Sequence, residues 1–197
     1  MSVDPKDLKD IRRDPDIEHA VESMPLTLIL RMGDPVPKPS LPPPPPPPPG
    51  GAPAPAPSSL PTWGIKKLKA DTSPFDGSGI KVAVLDTGIF PDHHAFQGLN
   101  IIGRNFIPTS STDSTIDPSN FRDEHGHGTH CAGTIAGRDV LGIRIGVAPG
   151  IETLIVGKVL GPQGGSSAAL LDAITWAISQ GALIVSMSLG FDFVGLR

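Results

Sequence analysis

Three histidines, His125, His127 and His130, stand within six positions of the stretch DEHGHGTHCAGTIAG at residues 123–137, and mostly small residues follow them. Imidazole side chains at this spacing could serve as a catalytic base or as ligands of a metal ion. They could equally belong to the start of a well-packed helix. The chemistry depends on which other side chains the fold brings beside them.

Asp86 is a carboxylate well placed to join a histidine, because it ends the apolar run GIKVAVLD at residues 79–86. In open parallel sheets, the loops that follow the carboxyl ends of the strands meet at one edge. A carboxylate held there can accept a hydrogen bond from Nδ1 of a histidine, which leaves Nε2 facing a nucleophile. Taken alone, Asp86 is as readily a helix cap or a turn residue, since Thr87 and Gly88 follow it.

The elements that would position these groups follow an alternating α/β pattern. The apolar runs at residues 79–86, 151–160 and 182–189 predict strands that are buried in a parallel sheet. Between the last two, apolar residues at helical spacing predict a helix that Ser166 or Ser167 caps. Strand, helix and strand would form a βαβ unit, whose helix packs on the sheet.

A helix that begins near His127 would carry two stripes of small residues. One stripe contains Gly128, Ala132 and Ala136, and the other contains Thr129, Gly133 and Gly137. Such a helix can approach a sheet closely, which would bring a histidine in its first turn within reach of an aspartate at a strand end.

Short motifs occur in the order LDTGI, HGTHCAGTIAG, GVAP with KVLG, and SMSLG. In this order and spacing they resemble the subtilisin-like serine proteases (peptidase family S8), over the N-terminal half of the catalytic domain. Cys131, next to the HGTH motif, occupies the position of a cysteine in the proteinase K-like and kexin-like members. The resemblance implies an α/β fold of three layers, with a parallel sheet and helices on both faces, here truncated. It also implies that Asp86 is the aspartate of the catalytic triad and that His127 is its general base, while His130 is structural and His125 belongs to the preceding loop.

The same resemblance implies that a polypeptide substrate binds as an extended strand between two segments of the chain. The matching residues are Leu160, Gly161, Gly164 and Gly165 in one segment and Ser188, Leu189 and Gly190 in the other. Glycine-rich edges let two backbones approach closely, which suits strand addition. Without the resemblance, both segments would be interpreted as loops that follow strands.

A subtilisin-like protease also needs a serine nucleophile in a GTSMA-like turn and an asparagine for the oxyanion hole. In the family both follow SMSLG, and this sequence ends soon after it, at Arg197. The serines of GSSA at residues 165–168 lie in the substrate-edge loop, and Ser188 lacks the first glycine of G-x-S-x-G. We therefore expect a serine endopeptidase that is incomplete as given and inactive by itself. The alternative is a non-catalytic pseudoprotease, an interaction protein with a proline-rich arm.

The three histidines also fit H-x-H-x-x-H, which is close to the HxHxDH signature of metallo-β-lactamase-type hydrolases. That zinc site needs an aspartate where Thr129 stands and ligands from later loops, but no histidine follows His130. Many subtilases bind calcium through an aspartate shortly after the catalytic one, where this sequence has Ala95, and the loop after the histidine helix adds only Asp139. We expect no metal ion and no other cofactor.

Proline divides the chain into three parts. Residues 1–34 form a charged segment, whose predicted helix, DPDI turn and alternating strand resemble the end of a subtilase prodomain; a disordered extension is the alternative. Residues 35–62 form a proline-rich linker, which would also suit an SH3, WW or profilin-like partner. Residues 63–197 form the partial catalytic domain.

Composition argues against several other functions. The net charge is −4 and no basic cluster exceeds Lys66-Lys67, which argues against nucleic acid as a partner. Cys131 is the only cysteine, so no disulfide can form within the chain. The apolar run from Leu26 to Leu30 is too short for a signal peptide or a membrane span. These features predict a cytoplasmic protein that binds neither nucleic acid nor membrane.

Overall fold

The computed structural model describes residues 24–28, 60–108 and 116–190. The helix and strand that we predict before residue 24 and the proline run lie outside these residues. The predicted domain boundaries at residues 34 and 62 therefore stay predictions.

Nine strands and three α-helices make up the described part of the chain. The strands are Pro25–Leu28 (β1), Leu60–Pro61 (β2), Val82–Asp86 (β3), Asn100–Asn105 (β4), Ile143–Arg144 (β5), Thr153–Lys158 (β6), Gly165–Ser166 (β7), Ile184–Ser186 (β8) and Leu189–Gly190 (β9). The α-helices are Trp63–Lys67 (α1), His127–Ala136 (α2) and Ser167–Ser179 (α3), and a 3₁₀ turn covers His94–Phe96.

Four of these strands form the central sheet, in the order β4, β6, β3 and β8, and every pairing is parallel. All five residues of β3 are buried. Its sequence, VAVLD, is apolar up to the final aspartate, as expected of a strand that is covered on both faces. β8 forms one edge of the described sheet, where Ile184 is 55% exposed.

Alternate side chains of β3 face two separate cores. Leu85 packs in one core with Ala173 of α3. Val84 packs in the other with Ala132 and Ala136 of α2. The sheet therefore carries helices on both faces, and the predicted α/β fold is confirmed.

The predicted βαβ unit consists of β6, α3 and β8. The hydroxyl of Ser166 caps α3 by accepting a hydrogen bond from the N–H of Ala169 at 3.2 Å. β6 and β8 pair with opposite sides of β3, so the connection through α3 crosses that strand. The strand predicted over 182–189 is present as β8 but is shorter than predicted, because the chain leaves the sheet after Ser186 and β9 pairs with β1 instead.

The helix predicted near His127 is present as α2. Its buried residues are those of the first small stripe: Gly128, Ala132 and Ala136. In the second stripe, Thr129 and Gly133 are only half-buried and line a cavity beside α1. Gly137, the last residue of the second stripe, is buried against Ile145, so the first stripe is the one that packs against the sheet.

Two small sheets lie outside the central one. β2 pairs with β5 in parallel, and β1 lies between β7 and β9, antiparallel to both. We did not predict β1 from the sequence. Within the described residues, no helix combines the length and the apolar character needed to cross a membrane.

Candidate active site

Asp86 ends β3 and is almost completely buried, with 1% of its surface exposed. Its Oδ1 accepts a hydrogen bond from the N–H of Thr87 at 2.7 Å. The same oxygen lies 2.8 Å from Nδ1 of His127. An ionised carboxylate can only accept hydrogen bonds, so this contact requires the proton on Nδ1. The structure thus brings together the two residues that the sequence singles out.

His127 is the first residue of α2, and its side chain is 19% exposed. The imidazole therefore lies between a buried carboxylate and the surface. Close docking of the helix makes the contact with Asp86 possible, because Gly128 lies directly against the turn that follows the aspartate. A β-carbon at Gly128 would overlap the carbonyl oxygen of Gly88.

Asp123 holds the start of α2 in place, and sequence reasoning missed it. Its Oδ1 accepts hydrogen bonds from the N–H groups of His125 and Gly126, each at 2.9 Å. Its Oδ2 accepts from both the N–H and the hydroxyl of Thr129. Gly126 occupies the N-cap position and has no side chain to cap the helix, so Asp123 supplies the acceptor that a capping residue normally provides.

A threonine links this carboxylate to the aspartate–histidine pair. The hydroxyl of Thr87 donates to Oδ1 of Asp123 at 2.9 Å and accepts from the N–H of Gly128 at 2.9 Å. Thr87 follows Asp86 and Gly128 follows His127, so the neighbours of the pair are themselves bound together. The relative position of Asp86 and His127 is therefore fixed by backbone contacts as well as by their own hydrogen bond.

The hydrogen bonds to Asp123 also set its ionisation. Burial by itself would raise the pKa of this carboxyl, but the donors at Thr129, Gly126 and His125 outweigh burial and hold the pKa below its ordinary value of 3.8. The carboxylate is therefore charged at neutral pH. A negative charge beside the N-terminus of α2 also interacts favourably with the helix dipole.

The two predicted substrate segments contain β7 and β9, and β1 lies between these two strands. Gly165 in β7 pairs with Leu26, and Leu189 and Gly190 in β9 pair with Leu28 and Thr27. Gly164 contacts this strand so closely that a β-carbon there would overlap the carbonyl oxygen of Leu26. The chain's own residues 25–28 thus occupy the position that we predict for a substrate.

Leu26 anchors β1 between these segments. It is 1% exposed and packs in the same core as Leu160 and Leu170. Leu28 and Leu189 pack at the border of that core. The sequence signal was the apolar run from residue 26, which we considered only as a signal peptide or a membrane span.

The remaining predicted residues of the substrate segments lie shortly before β7 or β9 in the chain. Leu160 is buried, Gly161 and Gly164 form an isolated β-bridge, and Ser188 precedes β9. β7 and β9 thus form the two walls of a groove that β1 occupies.

Comparisons with known proteins show which family this chain resembles in sequence. A sequence profile of the Subtilase family matches residues 77–194. The chain belongs to this family. It is 47% identical over 115 residues to the intracellular serine protease of Paenibacillus polymyxa, covering 58% of this chain and 34% of that protein. It is 42% identical over 132 residues to the major intracellular serine protease of Bacillus subtilis, covering 64% of this chain and 40% of that protein.

The chain also aligns with two solved structures of leader-processing peptidases. The epidermin leader peptide processing serine protease of Staphylococcus aureus aligns with a TM-score of 0.52 and 26% identity, over 58% of this chain and 27% of that chain. The nisin leader peptidase of Lactococcus lactis aligns with a TM-score of 0.52 and 28% identity, over 59% and 33%. This subtilase chain therefore spans less than half of the length of each of these relatives.

In this subtilase, Cys131 lies one helical turn after His127. Its Sγ is 3.8 Å from Nδ1 of the histidine, and the residue is half-buried. Burial raises the pKa of the Cys131 thiol, and the negative charge of Asp86 raises it further, while a hydrogen bond with Ser188 acts in the opposite direction. The sulfur is therefore a protonated thiol at neutral pH.

The three histidines of H-x-H-x-x-H do not converge. His125 precedes the helix, and its ring meets that of His127 edge-on, with 6.3 Å between the ring centroids. His130 is exposed. Among the described residues, the group that could hold a metal ion is Asp86, His127 and Cys131.

The region where many subtilases bind calcium is held together here by hydrogen bonds. The carbonyl oxygens of Gly142 and Arg144 accept the N–H groups of Leu60 and Thr62 at 2.8 and 3.1 Å. The carbonyl oxygen of Ala95 accepts the N–H of Arg138 at 2.7 Å. The absence of calcium at this position stays a prediction.

Proposed function

We propose that this subtilase chain carries the aspartate and histidine of a serine endopeptidase active site. The observation that supports the proposal best is the contact of 2.8 Å between Asp86 Oδ1 and His127 Nδ1, with the carboxylate buried at the end of a central strand. The reaction is the hydrolysis of peptide bonds.

In this proposal, Asp86 holds the imidazole of His127 in one tautomer and one orientation. A proton held on Nδ1 leaves the lone pair of Nε2 free, and His127 can then take the proton of a serine hydroxyl as the serine attacks the carbonyl carbon. His127 later gives this proton to the leaving amine. The buried carboxylate stabilises the imidazolium that exists between these two steps.

The proposal assigns the nucleophile to none of the three serines considered in the sequence, Ser166, Ser167 and Ser188. Ser166 uses its hydroxyl to cap α3. The hydroxyl of Ser188 contacts the thiol of Cys131. The serine nucleophile and the oxyanion asparagine of the complete enzyme are expected in a segment that follows β9.

We expect the substrate to be a polypeptide that binds as an extended strand between β7 and β9. The position of β1 supports this arrangement, because a segment of ordinary L-residues already fits there with antiparallel pairing on both sides. The burial of Leu26 indicates that a large aliphatic side chain is preferred at the equivalent substrate position. A substrate must displace β1, so residues 25–28 are expected to inhibit the complete enzyme.

We also expect the protein to act inside the cell. The support is that two relatives, from P. polymyxa and B. subtilis, are named intracellular serine proteases.

The test compares the 197-residue chain with the longest product of its gene, using a denatured protein as substrate. The longer product should hydrolyse it, and His127→Ala should lower turnover on the order of a millionfold, as measured for the equivalent change in subtilisin itself. The 197-residue chain should give only background hydrolysis. Hydrolysis by the longer product that survives His127→Ala would contradict the assignment of the base. A gene product without any further serine segment would favour the pseudoprotease.

A further inference from the structure

We infer that Lys158 is a positioning residue, whose buried ammonium group holds the loop that keeps His127 beside Asp86. This role deepens the proposed function and rests on it, because the imidazole that it positions is the proposed base. Lys158 ends β6 and is 6% exposed. Among the residues that the structure describes, it is the one lysine or arginine that is buried. A buried cation is costly unless it makes specific polar contacts.

The last residues of three neighbouring strands are polar and buried. Asn105 ends β4, Lys158 ends β6 and Asp86 ends β3, and Lys158 is in register with both of the others. Two residues earlier, Val84 and Val156 pack in the core that contains α2. Because side chains alternate along a strand, Asp86 and Lys158 face the same side, on strands about 4.8 Å apart. The lysine therefore starts from the strand next to the aspartate, on the side of the sheet that carries α2.

The ammonium group of Lys158 contacts the chain on both sides of Asp123. Its Nζ donates a hydrogen bond to the carbonyl oxygen of Arg122 at 2.8 Å. It also lies 3.7 Å from Oε2 of Glu124, but the side chain of Glu124 is 63% exposed, so this ion pair contributes little. The bond to the carbonyl is the stronger contact, because its donor is charged and buried.

The carbonyl group of Arg122 is packed against the turn that follows β3. A β-carbon at Gly88 would stand 3.1 Å from its carbonyl carbon. The next residue, Asp123, donates its N–H to the carbonyl oxygen of Ile89 at 3.0 Å. The loop thus lies on the turn, and the ammonium group of Lys158 fixes it to β6 as well. Asp123 can hold the start of α2 only where this loop places it.

The side chain of Arg122 provides a second anchor for the loop, but a weaker one. Its guanidinium group lies 4.3 Å from the ring centroid of Phe90, and its Nη1 lies 3.0 Å from Oδ2 of Asp92. Both side chains of this ion pair are more than half exposed, and exposed pairs contribute little. The buried bond from Lys158 is therefore the main anchor.

Lys158→Met removes the ammonium group and keeps an unbranched side chain of similar length. Replacing a buried charge by an apolar side chain is often neutral for global stability, so the free energy of unfolding should change little. The loop loses its anchor, however, and Asp123 no longer holds α2 firmly. The N–H of Thr129, which donates to Oδ2 of Asp123 at 2.9 Å, should exchange with solvent roughly 10–100-fold faster. Amides of the central strand β6 should keep their protection.

The tautomer of His127 reports its position directly. Long-range ¹H–¹⁵N correlation spectra of the ¹⁵N-labelled 197-residue chain measure which ring nitrogen carries the proton. Where the loop is loose, the imidazole leaves Asp86 for part of the time and the proton can move to Nε2. In Lys158→Met we expect the fraction with the proton on Nε2 to rise at least about tenfold. Lys158→Gln, which also lacks the charge, is the second variant and should show the same rise.

Two controls separate positioning from stability, and urea denaturation checks that every variant is folded. Lys81→Met removes an exposed lysine whose Nζ donates to the carbonyl oxygen of Gln180 at 3.1 Å, and it should change neither reading. Leu170→Ala truncates a buried leucine in the core on the other face of the sheet. It should lower the free energy of unfolding more than Lys158→Met does and still leave the tautomer unchanged.

An unchanged tautomer and unchanged exchange of Thr129 in both Lys158 variants would overturn the positioning role. Exchange that rises equally at Thr129 and throughout β6 would also overturn it, because Lys158 would then stabilise the fold alone. So would a tautomer change in Leu170→Ala as large as in Lys158→Met. A proton on Nε2 in the original chain would instead contradict the proposed function, and the exchange of Thr129 would still show whether Lys158 holds the loop.

Discussion

Gly128 lies so close to Gly88 that no side chain fits between α2 and the turn after Asp86. The N–H of Gly128 also donates to the hydroxyl of Thr87 at 2.9 Å. This contact sets the distance between the helix and the sheet. It therefore sets the distance between His127 and Asp86.

Gly128→Ala should push α2 away from the sheet. The added β-carbon would overlap the backbone oxygen of Gly88, which cannot move as a side chain can, so we expect a loss of about 2–4 kcal/mol in the free energy of unfolding. Urea denaturation of the 197-residue chain measures this change.

Gly133→Ala is the matched control in the same helix. Its β-carbon would meet nothing closer than an edge of Phe96 at 4.0 Å, and alanine favours the helix over glycine. We expect a gain of about 0.5–1 kcal/mol. Equal effects of the two substitutions would show that close docking of α2 is not the constraint.

Asp123→Asn should weaken the start of α2. Asparagine keeps the shape of aspartate but removes the charge and one acceptor oxygen, so we expect a loss of about 2–3 kcal/mol at neutral pH. Asp139→Asn, at an exposed aspartate after the helix, is the control and should change little.

The pH dependence of this loss follows from the lowered pKa of Asp123. A carboxyl whose pKa is lower in the folded chain contributes its full stabilisation above the ordinary value of 3.8 and loses it as the pH falls through the lowered value. The gap between the original chain and Asp123→Asn should therefore close in strong acid. A gap that stays constant from neutral pH to strong acid would contradict the role of the charge.

Leu26→Ala should release β1 from the groove between β7 and β9. A buried leucine truncated to alanine loses about 2–4 kcal/mol of local stability, which raises amide exchange roughly 30-fold or more. The N–H of Ser167, which donates to the carbonyl oxygen of Met24, reports this opening. Thr27→Ala, at an exposed position of the same strand, should change exchange by less than about threefold. Equal protection of Ser167 in Leu26→Ala would mean that burial of this leucine does not hold the strand.

Cys131 should react slowly with iodoacetamide at neutral pH. Burial and the nearby charge of Asp86 raise the pKa of its thiol, and only the thiolate attacks the reagent. We expect alkylation at least about tenfold slower than in the same chain unfolded in urea. A native rate that equals or exceeds the unfolded rate would show a stabilised thiolate.

The features that could be predicted from the sequence are those that depend on residues close together along the chain. The apolar run that ends at Asp86, the serine cap before α3 and the small residues after His127 each identify an element or its contact face. Because small residues on one face let α2 dock closely beside the end of β3, the meeting of Asp86 and His127 followed from these elements.

The features that the sequence missed depend on distant contacts. β1 is held by hydrogen bonds to residues more than a hundred positions away, such as that of Met24 to Ser167 across 143 positions. The sequence of its four residues does not identify a partner strand. Asp123 was missed because a loop folds its side chain back onto a helix whose N-cap position, Gly126, carries no capping side chain.

The tautomer of His127 tests the central claim most directly. Long-range ¹H–¹⁵N correlation spectra of the ¹⁵N-labelled chain identify which ring nitrogen of the neutral imidazole carries the proton. We predict that it is Nδ1, bound to Asp86, and that Asp86→Asn moves it to Nε2. A proton on Nε2 in the original chain, unchanged by Asp86→Asn, would contradict the pairing on which the proposed active site depends.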